Sequence, residues 1–271
     1  MLLKLPSAYG IGWGFASVLW LFFRKRRRLS VDNILKAHIT DDKKEAERIA
    51  KRSWCHLAGH VMEAIRVPRV VNKDNWRDHL DFEDADEEVV KILLEETGTP
   101  ILLVSSHHGV WEAVTNVISL VRPMIAIART MNNRFVASWM KRHFRGRVTV
   151  IDKNNGFTPD ILRRWKDDCA AMTILMDQHT QRGAELMFMG RKAKTFTSAA
   201  RLAMRTGYPI VVGSFVRVGP YKYRLVGGKP LRFGKDSDRD KNAQILNDRL
   251  EEAIRKYPDQ YLWAHRRWRC D

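Results

Sequence analysis

Cysteine is scarce and scattered in this sequence: Cys55, Cys169 and Cys270 form no CxxC pair. That pattern speaks for a reducing compartment and against a disulfide framework or a cysteine zinc site. Acidic residues are in deficit too, 31 Asp and Glu against 48 Lys and Arg, giving a formal net charge of +17 at pH 7. Such an excess implies acidic partners: nucleic acid, an anionic membrane surface, or phosphorylated and carrier-bound substrates. No segment recurs at a period of about 20 to 50 residues, which excludes a repeat architecture. The apolar run Tyr9–Phe23 is short: as a helix it reaches about 22 Å at ~1.5 Å per residue, against a hydrocarbon core of about 30 Å. A cleaved signal peptide does not fit, because five bases, Arg24 to Arg28, follow the run directly where a small-residue cleavage site would stand.

Aromatic residues beside a polybasic run suit an interfacial anchor on an anionic cytoplasmic leaflet. The alternatives are a short signal-anchor with its basic end inside and a first helix packed on the core. Residues 1–28 are therefore read as an N-terminal membrane-associating segment, and 29–271 as one domain. The apolar content of 45% is ample for a buried core.

Helical periodicity over Asp41–Val67, with Thr40 or Asp41 as cap and Pro68 as stop, predicts a first long helix. Trp76–Phe82 reads as extended and Glu83–Thr97 as a helix ended by Gly98. From residue 100 onward the chain alternates. Strands are expected at Ile101–Val104, Met124–Arg129, Val148–Asp152, Ala171–Gln178, Pro209–Val218 and Tyr223–Val226. Helices are expected after Glu112 and over Asn133–Phe144, Pro159–Lys166 and Ser198–Thr206. The alternation predicts an α/β fold, a single domain with a mostly parallel central sheet flanked by helices. His107, Arg129, Asp152 and Asp177 all fall at strand ends, where sites form in such sheets.

The chemistry concentrates in ILLVSSHHGVWE, residues 101–112. On one continuous helix His107 and Glu112 would stand about 140° apart. A turn at Gly109 can instead fold the Glu112 carboxylate back onto the imidazole, giving a base held by an orienting carboxylate that takes a proton from a substrate hydroxyl. The neighbouring Ser105 and Ser106 lack the glycine-flanked elbow that exposes a nucleophilic serine. A metal hydrolase built on His107, His108 and Asp177 or His179 matches no strong ligand spacing, and adjacent histidines on an extended strand point opposite ways.

HHGVWE resembles the His-x4-Asp/Glu motif of the glycerolipid acyltransferase superfamily, and its Gly-x-Trp-Glu is similar to the lipid A biosynthesis (late) acyltransferase branch. Further stretches resemble that family across roughly residues 25–268. Arg129 and Asn133 in RTMNN are similar to its Tyr-Arg-Pro-x-x-Asn element, although Ala128 and Thr130 replace the aromatic and the proline. Arg142 and Gly146 match an Arg-x-x-x-Gly element, and Asp177–Gln178 an Asp-Gln at a strand end. Thr195 and Arg217 match a threonine before a Leu-Ala helix and an arginine ending a strand. The closing PDQYLWAHRR is similar to the family's Pro-x-Gln-Tyr-x-Trp-x-His-Arg-Arg; within it, His265 has aromatic neighbours that suit packing.

The resemblance implies an acyltransferase that moves a fatty acyl chain from a thioester on acyl carrier protein or coenzyme A to a hydroxyl of a lipid A precursor-like membrane glycolipid. Another membrane lipid, such as a lysophospholipid, is the alternative acceptor. His107 and Glu112 would be catalytic, with Arg129, Asn133, Arg142, Asp177, Gln178 and Thr195 supporting substrate or transition state. No metal and no cofactor beyond the donor thioester is expected. The partners would be an anionic membrane surface, the lipid acceptor and the acyl donor, and the location the cytoplasmic side of the inner membrane. A nucleic-acid module is the reading from another class, but the basic residues form no recognisable nucleic-acid motif and that reading leaves the apolar N-terminus unexplained.

Overall fold

Ile101–Ser105 (β2) is buried along its whole length. It lies between two parallel neighbours, as a continuous apolar run demands when both sheet faces are covered. In the computed structural model, which describes residues 7–96, 98–128, 148–152 and 156–269, it is the middle of a seven-stranded sheet. The others are β1 (Leu80–Ala85), β3 (Met124–Ala128), β4 (Val148–Asp152), β5 (Ala171–Leu175), β8 (Ile210–Gly219) and β9 (Lys222–Gly227), in the order β1-β9-β8-β2-β5-β3-β4. Every pairing is parallel except β8 with β9. A separate hairpin joins β6 (Ala184–Phe188) to β7 (Arg191–Thr195).

Alternate strand residues feed two cores. Leu102, Val104, Met172, Ile174, Ile210 and Val212 pack on one face. Their helical partners are α2 (Arg24–Lys36), α3 (Lys43–Ala64), α8 (Ser198–Thr206) and α9 (Arg239–Lys256). Ile101, Leu103, Ala171, Val211 and Phe215 pack on the other, against α4 (Val67–Val70), α5 (Glu87–Val90) and α6 (Trp111–Ile118). The helix α7 (Pro159–Asp167) buries Trp165, whose indole N–H donates to the Ile101 and Ala170 carbonyls. Below the sheet, buried Arg122 donates to the carbonyls of Ile92, Thr99 and Cys169. This is the expected mixed α/β domain with a mostly parallel sheet.

Several local expectations change. Asp42, not Thr40 or Asp41, caps α3, accepting from Lys44 N–H at 2.9 Å; α3 closes at Ala64, before Pro68. The expected helix over Glu83–Thr97 is instead the end of β1, the short α5 and a π turn at Lys91–Glu95. The extended reading of Trp76–Phe82 holds only from Leu80, after a 3-10 turn over Trp76–His79. The expected helix Asn133–Phe144 lies outside the described residues. The β6–β7 hairpin and α9, for which no element is predicted above, have little apolar alternation to announce them. The hairpin turns at Met189–Gly190, both with positive φ (53° and 73°), as a two-residue type I′ loop requires. Methionine is held there because its side chain is fully buried and its N–H donates to Glu251.

The helix α1 (Ser7–Phe22) lies along α3. Gly12 and Gly59 permit this approach: a Cβ on Gly12 would stand 2.7 Å from the Ala58 carbonyl oxygen, and one on Gly59 2.4 Å from the Tyr9 ring. Trp20 joins the core, and the division at residue 28 falls inside α2. No helix among the described residues is long and apolar enough to cross a membrane. The outward side of α1 nevertheless stays apolar, with Phe15 64% and Phe22 74% exposed.

Candidate active site

The parallel register builds the site. Ser105 on β2 pairs with Leu175 on β5, so His107 and Asp177, each two residues beyond its strand, leave the sheet side by side. His107 Nδ1 donates to Asp177 Oδ1 at 2.8 Å. With its Nδ1 proton committed, the neutral ring keeps its lone pair on Nε2, which accepts from the Gln178 amide at 3.2 Å. Burial opposes charge on His107, but Asp177, by charge and hydrogen bond, and the charge of Glu112 outweigh it, so the imidazole pKa lies above its ordinary value. Burial likewise disfavours the ionised Asp177, yet His107, the His107 backbone N–H and the nearby Arg267 hold its carboxyl below the usual range.

The sequence suggested Glu112 as the carboxylate that orients the ring; in the structure it lies nearby without the hydrogen bond to Nδ1. Val110 precedes the helix and Glu112 falls in the first turn of α6, beside the same cavity as His107. The carboxylate hydrogen-bonded to Nδ1 is Asp177; Glu112 acts on the ring by its charge. His108 is a structural residue. It is fully buried, its Nε2 donates to the Tyr257 carbonyl at 2.9 Å, and burial pushes its pKa down to about 4, so it is neutral at pH 7.

The turn carrying His107 is tightly confined. Gly109 has φ +68°, and a Cβ there would lie 2.0 Å from the Phe215 carbonyl oxygen. Val110 N–H donates to that carbonyl at 2.8 Å, which ties the turn to β8. On the other side the closing segment runs antiparallel to it, bridging His108 to Tyr261. Gly109 N–H donates to the Gln260 carbonyl and Leu262 N–H to the His107 carbonyl, both at 3.0 Å. Trp111 sets its ring edge against His107 at 5.2 Å between centroids.

Thr195, read from sequence as substrate support, is fully buried behind the site. Its hydroxyl accepts from Arg267, which also donates to the Gln178 and Lys194 carbonyls and so braces the Asp177–Gln178 loop. It does not cap α8, whose cap position is Thr197. Arg217 pairs with the buried Glu63 at 2.9 Å and stacks on the Tyr9 ring at 3.8 Å. Asp152 ends the edge strand β4, the third strand over from β2. Arg129, Asn133 and Arg142 lie outside the described residues. Sequence reasoning missed the parts played by Arg267, Gln260 and Tyr261; the unusual composition of the closing motif was their signal.

From His107 a cavity of about 1020 Å³ extends across the α6 face of the sheet. Its floor is apolar, with Leu103, Val114, Ala126, Val148 and Val150, and its rim carries Gln178, His179, Arg182 and Arg201. It is at the upper end of the ~300–1,000 Å³ usual for ligand sites.

An imidazole held by a buried carboxylate at the strand ends of an α/β sheet, opening on a large cavity, is the arrangement of a general-base site. Residues 3–270 match the family model described as bacterial lipid A biosynthesis acyltransferase, and the chain belongs to that family. It is 26% identical over 174 residues to the lipid A biosynthesis palmitoleoyltransferase of Escherichia coli K12, and equally to the lipid A biosynthesis acyltransferase of Shigella flexneri. Each match covers 62% of this chain and 56% of the relative's length.

Proposed function

We propose that the protein transfers a fatty acyl chain from a thioester, on acyl carrier protein or coenzyme A, to a hydroxyl of a lipid A precursor-like phosphorylated glycolipid. The observation that carries this reading is the His107–Asp177 pair at the head of a large cavity lined by both apolar and polar side chains. His107 Nε2 takes the proton of the acceptor hydroxyl as its oxygen attacks the thioester carbonyl carbon. The tetrahedral oxyanion collapses, the C–S bond breaks, and the thiolate leaves with the proton from the imidazolium. Asp177, with the charge of Glu112, stabilises that imidazolium. The alkyl chain lies on the floor formed by Leu103, Val114 and Val150, and the cationic rim faces the phosphates of donor or acceptor. Arg129, Asn133 and Arg142 are proposed, from the family motifs alone, to support substrate or transition state. The test is transfer of label from an acyl-carrier thioester to a phosphorylated glycolipid by the purified protein; label remaining on the carrier would count against this acceptor class.

The same reading places the protein on the cytoplasmic face of the inner membrane. The outward side of α1 presents Ile11, Phe15, Val18 and Phe22 beside the basic Arg24–Arg28, the combination that binds an anionic interface. Near such a surface each base contributes about 1 kcal/mol, lost as salt screens it. Phe15→Asp with Phe22→Asp is expected to move the protein from the membrane pellet to the supernatant while the fold persists, since both rings face outward. Unchanged sedimentation would mean that another surface attaches the protein.

A further inference from the structure

The closing segment grips the His107 turn, but it belongs to no strand of the sheet, so something must fix it to the scaffold. That link is the Gln260 side chain. Its Oε1 accepts from Arg217 N–H and its Nε2 donates to the Arg217 carbonyl, both at 2.9 Å. One carboxamide thus satisfies donor and acceptor of one β8 residue, as a neighbouring peptide would; a carboxylate lacks the donor. The main-chain carbonyl of Gln260 accepts from Gly109 N–H at 3.0 Å. Gln260 therefore touches β8 with its side chain and the His107 turn with its backbone. Arg217 is a firm anchor, since its guanidinium is held by Glu63 and stacked on Tyr9.

We propose that Gln260 is a positioning residue for His107: by docking the closing segment onto β8 at Arg217, it sets where the imidazole stands against Asp177. The proposal rests on the reading of His107 as the base. Asp177 follows directly from the strand β5, whereas His107 hangs on a turn that shares two backbone hydrogen bonds with the closing segment, so loosening that segment at Gln260 moves His107 more than Asp177 and weakens the 2.8 Å bond between them. A displacement of about 1 Å is enough to cost on the order of 100-fold in rate.

Gln260→Met keeps the length of the side chain and removes both hydrogen bonds to Arg217, together with the contact to His56. The expected result is an unchanged KM for donor and acceptor, a kcat lower by about 100-fold, and a downward move in the pH titration of the His107 imidazole read by nitrogen NMR on histidine-labelled protein. The move is downward because the ring loses part of its contact with Asp177. The other charged or titratable groups facing the pair, Glu112, His108, Tyr261, His265 and Arg267, are not substituted. Gln260→Asn, whose carboxamide stops one methylene short, gives the same readings if the methionine variant fails to fold. A His107 titration that superposes on wild type in a folded variant overturns the proposal, even if the rate has fallen with stability. A titration that moves with kcat unchanged upholds the positioning role and removes His107 as the base.

Discussion

His107→Ala is expected to lower kcat by about 10²–10⁴-fold, the range that a positioned general base supplies, while His108→Ala leaves the kcat of the folded protein near wild type. The two rings are adjacent in sequence and opposite in environment. His107 presents Nε2 to the cavity, whereas His108 is fully buried with Nε2 donating to Tyr257. Losing His108 leaves that carbonyl unpaired and costs stability, about 1–3 kcal/mol. His107→Gln is the cleaner companion variant, since its amide can still donate to Asp177 and spare the buried carboxylate the loss of its partner. Steady-state kinetics on folded protein decide the matter. A dead His108→Ala beside an active His107 variant would sink the assignment.

The second large effect belongs to Asp177→Asn. An amide at this position can turn its N–H toward Nδ1 and hold the ring in the wrong tautomer, so kcat should fall by about 10³–10⁴-fold, as when a triad carboxylate is neutralised. The pH profile carries the sign. The base must be unprotonated, and Asp177 and Glu112 raise the His107 pKa over the opposing effect of burial. The acid limb of kcat/KM in the wild-type protein should therefore lie above the ordinary histidine value of about 6.5. Removing the Asp177 charge destabilises the imidazolium and moves that limb to lower pH. Glu112→Gln removes a charge that acts through space and should move it less. The reverse order would return the orienting role to Glu112.

The difference between these two carboxylates shows what the sequence could reveal. Its apolar runs announced β2 and β5, and the rule that sites gather at strand ends gathered His107 and Asp177. Aspartate after the apolar Ile174–Met176 also signalled a partner, because a buried carboxylate is costly alone. What periodicity could not supply was the register Ser105↔Leu175. Parallel pairing is fixed by contacts between segments some seventy residues apart, so Glu112, near in the chain, looked the better partner. The same limit hid Gln260, whose carboxamide finds Arg217 only after folding. Met189 in a type I′ turn was illegible for a related reason: its side chain is fully buried and its N–H donates to Glu251, a residue far along the chain.

The central claim is that the acyl chain passes from thioester to acceptor in one attack assisted by His107, with no acylated protein between. Ser105 lines the cavity and Ser106 is fully buried against Ser214, so a serine intermediate is the specific alternative. The most direct measurement leaves the acceptor out of the transfer assay. Purified protein is mixed with labelled acyl-carrier thioester, quenched within the time of one turnover, and examined for hydroxylamine-sensitive label. Unlabelled protein is the expected result, with label entering the glycolipid as soon as acceptor is added. Stoichiometric label on Ser105, formed and discharged at the rate of turnover, would contradict it.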